Sequence, residues 1–227
     1  MVKHLSLNKK ILYLFFLGNI DVLINHFYGP KFYHEHPEHI FAFQITLLVI
    51  PFIVLIYAIK NTSLTWKSIG ITTTIGNIKK SSAKYYYVFS FFILILLVEA
   101  ISTSIVKFLI PINLLAMNPV EIPKKSVFVD FLVGFLIAIR SGFFEEIYFR
   151  GFLNLFFANK ITFVIISSLL FGFMHWPMGL HSVVTSVLIG IVYSINYIRT
   201  GSLVPSIIAH TVYDLLLEMG KVFLGAA

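Results

Sequence analysis

The sequence predicts an all-α fold, a polytopic membrane helical bundle of about seven transmembrane helices. Of its 227 residues, 58% are hydrophobic and only 12% are charged, and the mean hydropathy is +0.91. Soluble globular domains carry about 25% charged residues, so the composition excludes that class of protein. The apolar residues also fall into long stretches, and the segments between them hold most of the lysines.

Membrane-spanning helices need about 20 mainly apolar residues each. In chain order, the candidate spans are residues 11–26, 40–59, 85–110, 127–149, 161–175, 182–198 and 203–224. The first resembles a signal sequence, but no small-residue cleavage site follows it, so a retained helix is expected. No linker, low-complexity tract or clear internal repeat divides the chain. The sequence therefore predicts a single transmembrane domain over residues 1–227.

Positive charges orient the predicted helices. Most fall on one side of an alternating seven-helix scheme: Lys3, Lys9, Lys10, Lys60, Lys67, Lys79, Lys80, Lys84, Arg150, Lys160 and Arg199. The positive-inside rule then places the N-terminus in the cytoplasm, although Lys124 and Lys125 oppose the scheme. Because the lysines lie between spans and not on one amphipathic face, nucleic acid is not an expected partner. Abundant Lys, Ile, Phe and Asn favour a bacterial origin, and hence the cytoplasmic membrane.

The run Glu-Glu-Ile-Tyr-Phe-Arg-Gly at residues 145–151 places two carboxylates and a guanidinium in an apolar segment. Charges at membrane depth cost roughly 2.5–3.5 kcal/mol each on insertion scales and are rarely kept without a function. Glu146 and Arg150 are four residues apart with the acid first, which favours an intrahelical ion pair. Glu145 points about 100° away and is available as a general base or acid. A structural salt bridge is the alternative.

A second polar insertion is His175, which follows Phe171 on the same helical face and precedes Trp176 and Pro177. Trp and Pro predict a helix end near the membrane surface, where a histidine is often a simple interfacial residue. Histidine is also the commonest general acid–base group. With Glu145, it could hold and polarise one water molecule.

The third insertion pairs His210 with Asp214 at positions i and i+4, on one helical face. A carboxylate that accepts one N–H of a histidine fixes its tautomer and directs the other nitrogen outward. The alternative is a polar pair that only joins helices.

The depth of these motifs creates a geometric conflict. If the fourth helix ended at Phe149, Glu145 would lie near the cytoplasmic edge. His175 would then lie roughly 22 Å across the membrane, at about 1.5 Å per residue. We therefore expect residues 127–158 to form one long or kinked helical segment, with Gly142 and Gly151 as candidate break points.

EExxxR, FxxxH and HxxxD in this order resemble the type II CAAX prenyl endopeptidases and bacteriocin-processing proteins, the CPBP or Abi family, with the catalytic core in about residues 127–224. The resemblance implies an intramembrane protease that hydrolyses a peptide bond in a small peptide or a membrane-tethered protein terminus. It also implies six site residues: Glu145, Glu146, Arg150, His175, His210 and Asp214. In that family, Glu146 and Arg150 would shape the site or hold the substrate backbone.

By the same resemblance, Glu145 would be the general base that activates water, with His175 assisting, and positions 210 and 214 would stabilise the oxyanion. The prenyl-protease form has Asn at the last position. An ionised Asp214 would repel an oxyanion, whereas an amide can donate to it. The donor role is therefore assigned to His210, with Asp214 as the residue that orients it.

No metal or other cofactor is expected. The absence of cysteine excludes thiolate zinc sites, iron–sulfur clusters, disulfides and cysteine nucleophiles. Zinc held by Glu145, His175 and His210 with a bound water is the alternative, although the HExxH spacing is absent. The histidine-rich run at 34–39 is expected to be a solvated loop, and Glu99 is expected to join helices or line a substrate path.

The expected partners are the lipid bilayer and a peptide or membrane-anchored protein substrate. In a bacterial host, the resemblance implies pheromone or bacteriocin maturation, or self-immunity against a bacteriocin. Two other functions are compatible with the motifs: a catalytically silent immunity or scaffold membrane protein that binds a peptide or sensor, and a proton-coupled transporter. The absence of an internal repeat with broken helices argues against the transporter.

Overall fold

The computed structural model describes residues 24, 28–72, 81–110, 114 and 126–224. All regular structure in this part of the chain is helical, as the sequence predicts. The α-helices are α1 (Gly29–Glu35), α2 (Ile40–Asn61), α3 (Ser81–Leu109), α4 (Val127–Arg140), α5 (Lys160–Met174), α6 (Leu180–Thr200) and α7 (Val204–Leu224). Short 3₁₀ turns precede α2 and α6, at Pro37–His39 and Trp176–Met178.

Four helical segments in the described part of the chain are long and apolar enough to cross a membrane: Ile40–Asn61, Ala83–Leu109, Val127–Leu155 and Leu180–Thr200. The protein is therefore an integral membrane protein. The predicted count of seven spans is not confirmed. The first predicted span lies almost entirely outside the described residues, α5 has only 15 residues, and α7 carries Asp214, Glu218 and Lys221.

Val127–Leu155 forms one helical run of 29 residues, and this run carries the first motif. Its start is capped by Ser126, whose hydroxyl accepts the backbone N–H of Val129. After Arg140, the helix widens into π-helical turns at Ser141–Glu145 and Ile147–Phe152 and ends in a 3₁₀ turn. Single π-turns within α-helices occur frequently at functional sites. The helical run continues past both candidate break points, Gly142 and Gly151. Glu145 therefore lies well before its end and inside the bundle, where it is 3% exposed.

One end of the bundle brings together the segment after α2, the end of the Val127–Leu155 run and the turn between α6 and α7. The backbone N–H of Leu203 donates to the carbonyl of Gly70 at 2.8 Å, and the Ser202 hydroxyl donates to the carbonyl of Thr72 at 2.7 Å. We call this the basic end, because five of its described residues are positive: Lys60, Lys67, Lys84, Lys160 and Arg199.

The opposite end holds the C-termini of α3, α5 and α7 and the N-termini of α4 and α6. The N–H of Leu180 donates to the carbonyl of Leu114 at 3.0 Å, and Gly134 of α4 packs directly against Glu218 of α7. Consecutive helices from α2 to α7 therefore alternate in direction across the bundle.

Most of the main hydrophobic core lies in the half of the bundle nearer the basic end. Its most deeply buried members come from α2, the α2–α3 connection, the π-helical run, α5 and the residue before α7: Ala58, Ile69, Phe144, Ile147, Phe163 and Leu203, each 0% exposed. Burying the Ile, Phe and Leu side chains contributes about 1.5–3 kcal/mol each. This packing fixes the helices against one another next to the polar motifs.

Gly142 allows α7 to pack against the π-helical run. A Cβ atom at this position would lie 2.6 Å from the backbone nitrogen of Thr211, which is closer than real Cβ contacts allow. The absence of a side chain at Gly142 therefore allows the first motif, which follows Gly142, to lie close to the third motif, which includes His210 next to Thr211.

We expect Gly142→Ala to push α7 away and to lower the free energy of unfolding by about 1–3 kcal/mol, the usual cost of overpacking. SDS titration of the purified protein, followed by circular dichroism, measures this change. Gly220→Ala is the matched control, because a Cβ at Gly220 of α7 meets nothing within 4 Å. The control should be neutral or slightly stabilising, and equal behaviour of the two variants would contradict the close-approach role.

Candidate active site

A cavity of about 630 Å³ lies among α3, α4, α5, α6 and α7. Four of the six site residues implied by the motifs line it: Glu145, His175, His210 and Asp214. The other two, Glu146 and Arg150, lie behind the cavity wall, and both are 0% exposed. Three motifs that are far apart in the sequence therefore meet at one place in the bundle.

Glu146 and Arg150 form a fully buried ion pair. Arg150 Nη1 donates to Glu146 Oε1 at 3.1 Å, and Nη2 donates to the carbonyl oxygen of Gly190 at 3.4 Å. The guanidinium carbon lies 4.2 Å from the ring centroid of Phe171, a cation–π contact. A buried charge is tolerated when it is paired and hydrogen-bonded, and Arg150 meets both conditions.

His210 contacts both acids: Glu146 by a hydrogen bond, which the sequence does not predict, and Asp214 by the longer i, i+4 contact that it does predict. His210 Nδ1 lies 3.1 Å from Glu146 Oε1, the same oxygen that accepts from Arg150. Asp214 Oδ2 lies 3.6 Å from the other nitrogen, Nε2, beyond hydrogen-bonding distance. The i, i+4 spacing places Asp214 beside the ring, but the packing of α7 on the π-helical run brings Glu146 to Nδ1. The Ser141 hydroxyl donates to Asp214 Oδ2 instead.

Two aromatic rings fix the orientation of the His210 imidazole. Tyr193 stacks on it at 5.5 Å between centroids with an interplanar angle of 20°, and Phe171 meets it edge-on at 5.9 Å. Nε2 then lies 3.9 Å from Glu145 Oε2. This separation is too long for a direct hydrogen bond and suits one water that contacts both atoms.

His175 is the C-cap residue of α5, and its side chain turns back onto the helix. Nδ1 lies 2.8 Å from the carbonyl oxygen of Phe171, and the two rings meet edge-on at 4.9 Å between centroids. Because a carbonyl oxygen only accepts, Nδ1 carries the proton in this contact. The sequence motif FxxxH therefore has a structural basis: Phe171 contacts His175, His210 and Arg150 at once.

Among the residues that the structure describes, no group of three or more His, Cys, Asp or Glu side chains is arranged to hold a metal ion. The alternative ligand set of Glu145, His175 and His210 is not assembled as such a group. The absence of a cofactor stays a prediction, and no chemical step below depends on a metal.

Several residues outside the motifs line the cavity or contact the motif residues, and none of them belongs to the predicted site. Glu99 of α3 lines the cavity, and it accepts hydrogen bonds from the hydroxyls of Thr103, at 3.1 Å, and Tyr213. Tyr193 and Ser141 contact His210 and Asp214 as described. The only sequence signal for Glu99 was an acid within an apolar stretch, and Ser141 and Tyr193 gave no signal.

Comparison with known proteins supports the resemblance carried by the motifs. Residues 127–216 match the family model of type II CAAX prenyl endopeptidase Rce1-like proteins. No curated protein and no solved structure matches the chain. The matched segment begins at α4 and contains all six motif residues. The predicted family resemblance is thereby confirmed over this segment, and that family is a family of proteases.

We expect Glu146→Gln to destabilise the protein by about 3–5 kcal/mol, because it leaves the Arg150 charge buried without its counter-ion. The double variant Glu146→Gln/Arg150→Met removes both charges and should recover much of that loss. SDS titration of the two variants and of Arg150→Met measures the coupling between the positions. A double variant less stable than Glu146→Gln would contradict the buried ion pair.

Proposed function

We propose that this protein is an intramembrane endopeptidase that uses water activated by Glu145. The observation that carries the proposal is the convergence of Glu145, His175 and His210 on one cavity, with His210 held from behind by the Glu146–Arg150 pair. The Rce1-like match supplies independent support for peptide-bond hydrolysis as the reaction class.

In the proposed mechanism, Glu145 is the general base. Its carboxylate lies inside an apolar bundle, 3% exposed, and faces His210 Nε2 across 3.9 Å. A water between these atoms transfers a proton to Glu145 as its oxygen attacks the scissile carbonyl carbon. Protonated Glu145, or His175, then gives a proton to the leaving nitrogen as the carbon–nitrogen bond breaks. The products are a carboxylate and an amine.

His210 is proposed to stabilise the oxyanion. Glu146 accepts the Nδ1 proton, so in the cationic ring the Nε2–H points into the cavity and can donate to a developing negative charge. The Ser141 hydroxyl on Asp214 offsets the carboxylate that would otherwise oppose this charge. In this mechanism, the hydrogen bond from Ser141 offsets the charge of Asp214, and Glu146, not Asp214, orients His210.

The proposed substrate is a short extended segment, from a small peptide or from the terminus of a membrane-tethered protein. The cavity volume of about 630 Å³ lies within the usual range of ligand sites, about 300–1,000 Å³, and excludes a folded domain. In a bacterial cytoplasmic membrane, the setting would be pheromone or bacteriocin maturation, or bacteriocin self-immunity. Prenylated proteins are not the proposed substrates.

The test of this proposal compares host cells that express wild type, Glu145→Gln or Glu35→Gln at matched protein levels. Peptidomics of membranes and medium should find peptide termini that depend on wild type and that fall by about 10²–10⁴-fold with Glu145→Gln, the usual contribution of a general base. Glu35 lies in α1, outside the cavity lining, and its variant should match wild type. If Glu145→Gln left the peptide profiles unchanged and kept the immunity phenotype, the protease function would be wrong and the peptide-binding scaffold would be favoured.

The contacts of His210 also predict unequal roles for its two acidic neighbours. Asp214→Asn should retain activity within about tenfold of wild type, because Asp214 makes no hydrogen bond to the ring. Glu146→Gln should lose at least about 100-fold, because loss of the carboxylate that fixes the tautomer of a catalytic histidine can lower kcat by about 10⁴-fold. Initial rates of peptide cleavage by reconstituted protein measure both. Equal losses for the two variants would contradict Glu146 as the residue that positions His210.

A further inference from the structure

The cavity extends from the motif residues toward the end of the bundle opposite the basic end. Its lining follows α3 from Ile95 to Lys107 and α7 from His210 to Lys221, toward the C-terminus of both helices. It also includes Met178 and Ser182, at the connection between α5 and α6. These are the segments that meet at the opposite end, so the mouth of the cavity lies there.

Packed hydrophobic residues close the route from the basic end. Phe144, Phe163, Ile69 and Leu203 are each 0% exposed and separate Glu145 from that surface. The backbone hydrogen bond between Leu203 and Gly70 joins the α6–α7 and α2–α3 connections at the basic end. A peptide could reach Glu145 from that side only by displacing the main core.

The two ends of the bundle differ in charge. Segments 60–72, 81–84, 153–160 and 199–203 of the basic end contain five positive residues and no Asp or Glu. The described residues of the opposite end contain three positive residues, Lys31, Lys107 and Lys221. The sequence between α3 and α4 adds Lys124 and Lys125 to that end, and the sequence between α2 and α3 adds Lys79 and Lys80 to the basic end, so the basic end keeps the excess. Lys/Arg excess in short loops marks the cytoplasmic side of a membrane protein. The basic end is therefore the cytoplasmic end.

We propose that the cavity opens to the non-cytoplasmic face of the membrane, and that the site acts on polypeptide segments exposed there. The substrate class follows from this geometry: a translocated peptide, or the outer terminus of a membrane-tethered protein, in place of a protein tail in the cytoplasm. This substrate class rests on the proposed protease function. The direction of the opening does not.

The chain contains no cysteine, so single-cysteine variants report accessibility without background labelling. Ser182→Cys probes the mouth of the cavity and Ser186→Cys its α6 wall, since both residues line it. Ser63→Cys, exposed in the segment after α2, is the matched control at the basic end. A membrane-impermeant maleimide is added to intact cells, and then to cells whose membrane has been permeabilised.

Ser182→Cys and Ser186→Cys should be labelled in intact cells, and Ser63→Cys only after permeabilisation. The reverse pattern would overturn the proposal, and so would cavity cysteines that react from neither side until detergent is added. Labelling needs no catalysis, so an inactive protein that gives the expected pattern would sink the protease function and leave the direction of opening intact. In an active protein, labelling of Ser186→Cys from outside should lower peptide cleavage at least about tenfold by blocking the cavity.

Discussion

The buried hydrogen-bond network of Arg150, Glu146 and His210 is the interaction on which the rest of the site depends. One carboxylate oxygen, Glu146 Oε1, accepts hydrogen bonds from both Arg150 and His210, each at 3.1 Å. Removing either partner would leave a charge in the low-dielectric interior, where an unpaired ion costs several kcal/mol. This network therefore holds the π-helical run against α7, and the same contacts direct His210 Nε2 toward Glu145.

Glu145 and Glu146 serve different surfaces because successive helical residues point about 100° apart. Glu145 lines the cavity, while Glu146 faces Arg150 and His210 in the interior. Phe171 and Tyr193 complete the support, because they contact the guanidinium and the imidazole together. Preorganised groups of this kind reduce the reorganisation needed when charge develops in a transition state.

Composition and local pattern predicted the helical class and the membrane location, and the resemblance to the CAAX endopeptidase family implied that the motifs meet at one cavity. Composition reveals lipid-facing helices, and i, i+4 spacing reveals which side chains share a face. Spacing cannot indicate contacts that only tertiary packing creates. The i, i+4 spacing predicts the contact between Asp214 and His210 Nε2, found at 3.6 Å, but not the closer contact of Glu146, on another helix, with Nδ1 at 3.1 Å. The roles of Ser141 and Tyr193 depend on packing alone, and no pattern in the sequence indicated them.

The central claim is that this cavity hydrolyses a peptide bond with water activated by Glu145. The most direct measurement is a single-turnover reaction of the purified protein in proteoliposomes, with a peptide substrate in ¹⁸O-labelled water and mass spectrometry of the new C-terminus. The account predicts one ¹⁸O atom in the new carboxylate with wild type and no product above background with Glu145→Gln. Cleavage by Glu145→Gln at the wild-type rate, or no cleavage by the folded wild-type protein, would contradict it.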